Sequence, residues 1–420
     1  MERKRTVVVV ATLDTKGEAA AYLRDEIASW GLDTLLIDPG VLGNPAVKAD
    51  ITREEVARAA GTTLADLIAQ GKKGVCIAKQ TEGLCNIVRR LWEQGRLDGI
   101  VAIGGGQGTS IGTAAMRVLP VGVPKLMLST IASGLFRFGP YVGTKDICMM
   151  HSVTDILDVN AISRPILRNA ANAIAGMALR HPAPAQREKP VIAVTQLGVT
   201  TPCVMRVKGI LESRGYQIVP FHANGSGGPA MEDLIEAGKF AGVIDLSVHE
   251  IIDGIYDGLA GAQNRLESLT RYAIPAVVSV GGNDYLLWES VDKAPPAYRD
   301  RPKMVHNAQM TVFQPTPEEM AAAARAMIAP LNRALGPTLV LIPTVGFSDM
   351  NQPGRELYNP EGNQAMIRAF QSGLRPEVPL VQIPAHINHP TFADAVADCM
   401  IRLLHGERPM DIAARYAPGG

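Results

Sequence analysis

No stretch of this chain is apolar enough to span a membrane: the longest candidate, Val121–Phe136, is broken by Pro124, Lys125 and several small polar residues. A secretory signal is not expected either, because the basic stretch Met1–Arg5 leads only into the short run Val7–Ala11, which reads as a strand. Neither sign of charge is in excess, with 41 Lys and Arg against 41 Asp and Glu. The chain therefore has no field to gather a nucleic-acid backbone or an anionic membrane surface. Cysteine is scarce. The five present (Cys76, Cys85, Cys148, Cys203, Cys399) are odd in number and form no CxxC pair, which argues against a disulfide framework or a cysteine zinc site and fits a reducing cytoplasm. Disorder is excluded by 47% hydrophobic and 20% charged residues.

Several catalytic signatures are missing as well. No G-x-G-x-x-G follows the first strand, so an ordinary NAD or FAD site is not expected, and no G-x-x-x-x-G-K-[ST] marks a Walker-type loop. Without a G-x-S-x-G elbow, covalent hydrolysis has no nucleophile in the usual place.

Short β-branched runs alternate with Ala-rich helical stretches across the 420 residues, the pattern of parallel sheets covered by helices. Val7–Leu13, Leu32–Ile37, Gly74–Ala78, Ile100–Ile103 and Lys125–Ser129 read as strands, and Ile156–Leu179 as a closing helix. The Pro-rich segment 181–189 reads as a linker between a domain at 1–180 and a larger one at 190–420. Beyond it the pattern restarts. Gly238–Ser247 lies over Gly95–Gly104 without gaps, and Ile274–Ser279 over Val123–Leu128. Gly336–Pro343 and Val378–Pro384 add two strands and Thr391–His405 a helix. We expect two tandem Rossmann-like open parallel-sheet α/β domains, with helices on both faces, related as an internal repeat. Loops at the carboxyl ends of the strands, and a cleft between the copies, are the expected ligand sites.

In the first half, Asp14, Thr15, Lys16 and Gly17 follow a strand and open a helix, where main-chain amides and the helix dipole favour an anion. Asp38 ends the next strand, about where a dinucleotide fold keeps the acid that holds a ribose. Gly104, Gly105, Gly106, Gln107, Gly108, Thr109 and Ser110 join a strand to a helix, offering close backbone approach, cradling amides and two hydroxyls. Ser129, Thr130 and Ser133 lie on the same edge. In the second half, His222 before the glycine run 225–228, Glu250, Asp284 and His306 are candidate acid–base groups. His386 and His389 have no assignable carboxylate partner, so no metal site is assigned to them.

Thr12–Gly17, Gly104–Ser110, Leu119–Lys125 with Ser129–Gly134, Gly198–Pro202, Phe221–Gly228 and His306-Asn307, in this order, resemble one family along nearly the whole chain. It contains uncharacterised bacterial proteins and the N-terminal inhibitory domain of the tomato mosaic virus resistance protein, and is described as an ATP-binding domain. The resemblance implies a two-part α/β chain with a nucleotide near the first glycine loop. This chain departs from the pattern at Asn224, Ser226, Val248-His249, Met350–Tyr358 and His389, which points to a specialised substrate.

The expectation is a cytoplasmic protein, a homo-oligomer, that binds ATP with magnesium or a related phosphate compound in its first half and a small carboxylate between the halves. Two alternatives stand beside it: a nucleotide-independent hydrolase or lyase acting on a small organic acid, and a non-catalytic binding or scaffold module.

Overall fold

The computed structural model describes residues 3–133, 139–181, 189–307 and 309–417. The chain divides into two compact units, Met1–Ala185 and Gln186–Gly420. Of the expected linker, 182–188 lies outside the described residues, as does Gly134.

Unit 1 is built on five parallel strands, β1 (Thr6–Val10), β2 (Asp33–Ile37), β3 (Gly99–Gly104), β4 (Lys125–Ser129) and β5 (Cys148–His151), in the order β2-β1-β3-β4-β5. Alternate residues face opposite sides of a strand, and both sides are used. Val7, Val9, Val101 and Ile103 pack on the helices Leu13–Ala28 and Ser163–Arg180, while Val8, Val10, Ile100 and Ala102 pack on Lys73–Glu93 and Gly106–Arg117.

Unit 2 repeats this order and extends it. Its main sheet runs β14-β13-β9-β8-β6-β7, all parallel, where β6 is Val191–Gln196, β7 Gln217–His222, β8 Gly242–Ser247, β9 Ala276–Gly281, β13 Thr338–Pro343 and β14 Leu380–Ile383. Between β9 and β13 the chain inserts an antiparallel sheet of β10 (Leu286–Trp288), β11 (Lys303–Asn307) and β12 (Met310–Phe313). The ungapped match seen in the sequence places β8 on β3 and β9 on β4 from their first residues. Among the described residues no helix is long and apolar enough to cross a membrane.

Two expectations are corrected. Gly74–Ala78 is no strand; it is the first turn and more of the helix Lys73–Glu93. Its buried residues Cys76, Gln80, Gly83, Leu84, Ile87, Val88 and Leu91 recur at three- and four-residue spacing, so the helical period outweighs the short β-branched run. The closing helix begins at Ser163 rather than Ile156, because the Asn160 side chain accepts hydrogen bonds from the amides of Ile162 (2.9 Å) and Ser163 (3.0 Å) at its start.

Gly83 faces Val56 so closely that an added Cβ would overlap the Val56 carbonyl oxygen. Alanine there gains roughly 1 kcal/mol of helix propensity. Overpacking against fixed backbone costs about 1–3 kcal/mol or more. Gly83→Ala should therefore lower the urea midpoint of unfolding, and an unchanged or higher midpoint would show that the two helices can part freely.

Candidate functional site

In unit 1 the strand order reverses at β1 and β3, whose neighbours β2 and β4 lie on opposite sides, and such a switch point leaves a crevice at the carboxyl ends of the strands. Two helices begin there side by side, Leu13–Ala28 after β1 and Gly106–Arg117 after β3. Neither N-cap residue, Thr12 or Gly105, makes a side-chain capping bond, although the Leu13 amide donates to Asp38. The first helical bond of the second runs from the Thr109 amide to the Gly105 carbonyl at 2.8 Å, so the amides of Gly106, Gln107 and Gly108 have no intrahelical acceptor.

These termini open on a cavity of about 580 Å³ whose polar lining is Thr12, Asp14, Thr15, Lys16 and the residues Gly104 to Gly108. Gly104 is small for the fold's sake, because a Cβ there would come within 2.8 Å of Gly108 Cα. Gly105 and Gly106 are different. A Cβ at Gly106 would meet no protein atom within 4 Å, and one at Gly105 only Thr130 Oγ1 at 3.6 Å. The backbone of Gly105, φ −80°, suits any residue. Space in front of the free amides is thus kept clear with no demand from packing.

Lys16, 9% exposed, places Nζ 3.2 Å from Asp155 Oδ1 and so holds the Asp155 carboxyl below its usual range. Asp14 Oδ1 is buried without a hydrogen-bond partner among the described residues. The opposite wall was invisible in the sequence. Val41, Leu42, Ile68, Cys76 and Ile77 make it apolar, and Lys73 adds a second cation. The signal that could have found it is the amphipathic period of Lys73–Glu93, which turns Lys73, Cys76 and Ile77 toward one side.

Other expected ligand groups are occupied within the protein. Asp38, 1% exposed, accepts from Arg53 Nε at 2.9 Å and Nη2 at 2.6 Å and from the amides of Leu13 (3.2 Å) and Gly40 (2.8 Å), so it ties the loop that follows β2 rather than facing a ribose. The Thr109 hydroxyl lies 2.6 Å from Ser129 Oγ, both buried, and Ser110 Oγ donates back to the Gly106 carbonyl at 3.1 Å. Gly17 lies against Ala46, and Ser133 is not part of the cavity lining.

In unit 2 the corresponding switch point, β6 and β8, is filled by the protein itself. In the register that puts β8 on β3, Val248 and His249 stand where unit 1 has Gly105 and Gly106, and both are buried. His249 stacks on Tyr285 with ring centroids 4.0 Å apart, and its Nδ1 meets the Gly282 carbonyl at 2.8 Å. Burial opposes its charge, but Asp253 Oδ2 at 3.1 Å from Nε2 outweighs that and raises its pKa.

The four expected acid–base residues are not assembled. Glu250 is fully buried; it accepts from Arg265 Nε at 2.7 Å and from the amides of Gly225 (2.9 Å) and Gly228 (3.1 Å). Arg265 also binds Asp245 and Glu232. The glycine run does hold an anion, and it is this chain's own carboxylate. His222 is exposed at the end of β7. Asp284 is buried; neither of its oxygens makes a well-formed hydrogen bond among the described residues, and burial pushes its pKa up to about 6, although Ser348 and Asn351 lie near enough to favour the charge. Only His306 of the four lines a described cavity. His386 Nε2 meets the Ser348 carbonyl at 2.9 Å and His389 Nδ1 accepts from the Thr391 amide, so both serve the fold. Among the described residues no three His, Cys, Asp or Glu side chains gather as a metal site.

The chain belongs to the family described as Uncharacterised protein family (UPF0261): residues 5–183 match its N-terminal domain and 189–404 its C-terminal domain. A UPF0261 protein of Clostridium tetani is 38% identical over 402 residues, covering 95% of this chain and 99% of that protein. One of Rhizobium meliloti is 39% identical over 394 residues, covering 93% and 97%. The ToMV resistance protein Tm-1 of Solanum lycopersicum is 34% identical over 339 residues, covering 79% of this chain and 45% of the plant protein.

Glu250→Ala should cost about 3–5 kcal/mol, because it removes one partner of a buried charge cluster and leaves two amides unsatisfied. Urea denaturation measures this, and a loss below 1 kcal/mol would return Glu250 to the list of free functional groups. For Asp284 the sign follows from a folded pKa near 6 raised above 3.8. The native state keeps a proton that the unfolded chain releases, so this contribution is complete below about pH 4 and is lost as pH rises through 6. Relative to Asp284→Asn, the wild type should lose about 2 kcal/mol between pH 4 and 7; a pH-independent difference would contradict a buried, largely unpaired carboxyl.

Proposed function

We propose that unit 1 binds ATP or a related phosphate-bearing ligand together with magnesium, and that the protein acts through this binding. The observation that carries the reading is the clear space at Gly105 and Gly106 in front of uncapped helix amides. A phosphate placed there accepts from those amides and gains from two converging helix N-termini. Lys16 and Lys73 supply positive charge on the lining. Asp14 Oδ1, buried and unpartnered, has the hard oxygen chemistry that suits a magnesium ion travelling with the phosphates. The apolar wall of Val41, Leu42, Ile68 and Ile77 fits the face of a base, and 580 Å³ is within the usual range of small-molecule sites. A ribose would be held without Asp38, whose oxygens are already engaged. The catalytic alternative has less support, since Glu250 and Asp284 are buried in unit 2's own structure.

Calorimetric titration of the full chain with ATP and magnesium tests this. Lys16→Ala and Gly105→Val should each weaken binding at least tenfold, the second without loss of melting temperature because its side chain enters open space. Asp155→Asn should tighten binding about two- to fivefold, since it frees Lys16 from a partly exposed ion pair worth roughly 0.5–1 kcal/mol. Equal affinity in all four proteins, or no binding by the wild type, would reject the reading.

A further inference from the structure

Unit 2 has a cavity of its own, of about 670 Å³. Gly198 and Val199 after β6, the segment 349–357 after β13 and Asn388 after β14 form it, and β11 contributes Met304 and His306. The segment 349–357 contains most of the stretch that departs from the family pattern.

This site is preformed. The Asp349 amide donates to the Val199 carbonyl at 3.1 Å, and Ile387 donates to Gly346 at 3.0 Å. Asn351 and Asn363 join side chains at 2.7 Å, and Asn351 Oδ1 accepts from the Asn359 amide at 3.0 Å. Behind the lining, Leu357 packs with Tyr285 and Val312 in a buried cluster that also touches Val199, Met304 and Met350.

Its unmet chemistry is of two signs. The Arg355 guanidinium is 58% exposed; its acidic neighbour Asp349 is 3.7 Å away, too far for a hydrogen bond. It therefore has donors to offer an incoming carboxylate, with His306 on the same lining. Asn388 donates Nδ2 to the Val199 carbonyl at 2.9 Å, while its Oδ1 is buried with no partner among the described residues. That atom needs a donor. Glu356 and Asp349 on the lining favour a cation as well. Between the polar groups, Val199, Met304, Met350 and Leu357 offer an apolar surface.

From this pairing we infer that the unit 2 cavity binds a small α-amino acid with an apolar side chain. Its carboxylate sits on Arg355 and His306, its ammonium is directed to Asn388 Oδ1 and the acidic side chains, and its apolar body lies on the methionines. A simple carboxylate would face Asp349 and Glu356 and leave Asn388 unsatisfied. A simple amine would leave Arg355 without an acceptor. The inference goes beyond the phosphate reading of unit 1 and does not rest on it.

The test is calorimetric titration of the full chain with leucine, isoleucine, methionine and phenylalanine, and with 4-methylpentanoate and 3-methylbutylamine as the forms of leucine that lack one charge. At least one amino acid should bind, and both leucine analogues should bind at least tenfold more weakly than leucine or not at all. Arg355→Gln should weaken the amino acid at least tenfold while the unliganded melting temperature stays within a few degrees; His306→Gln should weaken it less. Failure of all four amino acids to bind, analogues as tight as leucine, or unchanged affinity in Arg355→Gln would overturn the proposal.

Discussion

The reading proposed for unit 1 depends on a topological constraint: where β1 and β3 part company, two helices must start side by side, and the first amides of the Gly106 helix have no intrahelical acceptor. Main-chain N–H groups at a helix start need an acceptor from a side chain, water or ligand. Here the Asp38 carboxylate takes the first amide of the helix Leu13–Ala28, whereas Gly105 offers the Gly106 helix no side-chain cap. The fold therefore presents a concentrated demand for negative charge at one point of one edge, and the surrounding residues differ only in how they leave that point open. Arg53 serves this indirectly. By gripping Asp38 and the carbonyls of Leu42 and Gly43 (2.8 Å each), it fixes the loop after β2 as a wall and holds the Asp38 carboxylate on the Leu13 amide.

Unit 2 meets the same demand from within. Its helix after β8 starts at His249, the position equivalent to Gly106, so the helix start is kept in register while the backbone before it turns differently and the side chains are buried. Thr200 Oγ1, in the turn after β6, and Ser247 Oγ, at the end of β8, lie 2.8 Å apart. Next to them Glu250 takes the amides of the glycine run, and Arg265 gathers Glu250, Asp245 and Glu232 with its own charge 1% exposed. Burial works against that guanidinium, but three carboxylates outweigh it and hold it firmly protonated. A buried ionic cluster of this kind is costly to break and adds little net stability when intact, so its value here lies in fixing the geometry of the loops.

The strands, the repeat and the glycine loop were legible in the sequence because each is local: period-two runs, an ungapped match, a glycine cluster at a strand end. The strand order needed the structure, but the match of Gly238–Ser247 to Gly95–Gly104 already implied that it would recur. What stayed hidden involved long separations. Asp38 looks like a ribose acid until Arg53 is seen folded onto it, and Glu250 looks like a general base until Arg265 and two glycine amides are placed around it. Gly74–Ala78 misled because five residues cannot distinguish a buried strand from one turn of an amphipathic helix, whereas the twenty-one residues of Lys73–Glu93 can. The antiparallel insert between β9 and β13 escaped notice because its strands are three to five residues long and a Pro- and Arg-rich stretch separates β10 from β11.

The contrast between the halves also tells why glycine persists at 105 and 106. Glycine at a position whose φ suits any residue leaves the unfolded chain freer, and replacing it by alanine typically stabilises a protein by about 0.4–1 kcal/mol. In unit 2 the equivalent positions carry Val248 and His249, both buried, on a backbone that turns differently: φ −125°, ψ 26° at Val248 against φ −80°, ψ −161° at Gly105. Unit 1 leaves both sites without a side chain although a Cβ would meet no close protein atom at either. Structural economy would fill them; close approach of a ligand to the amides of the Gly106 helix requires them empty.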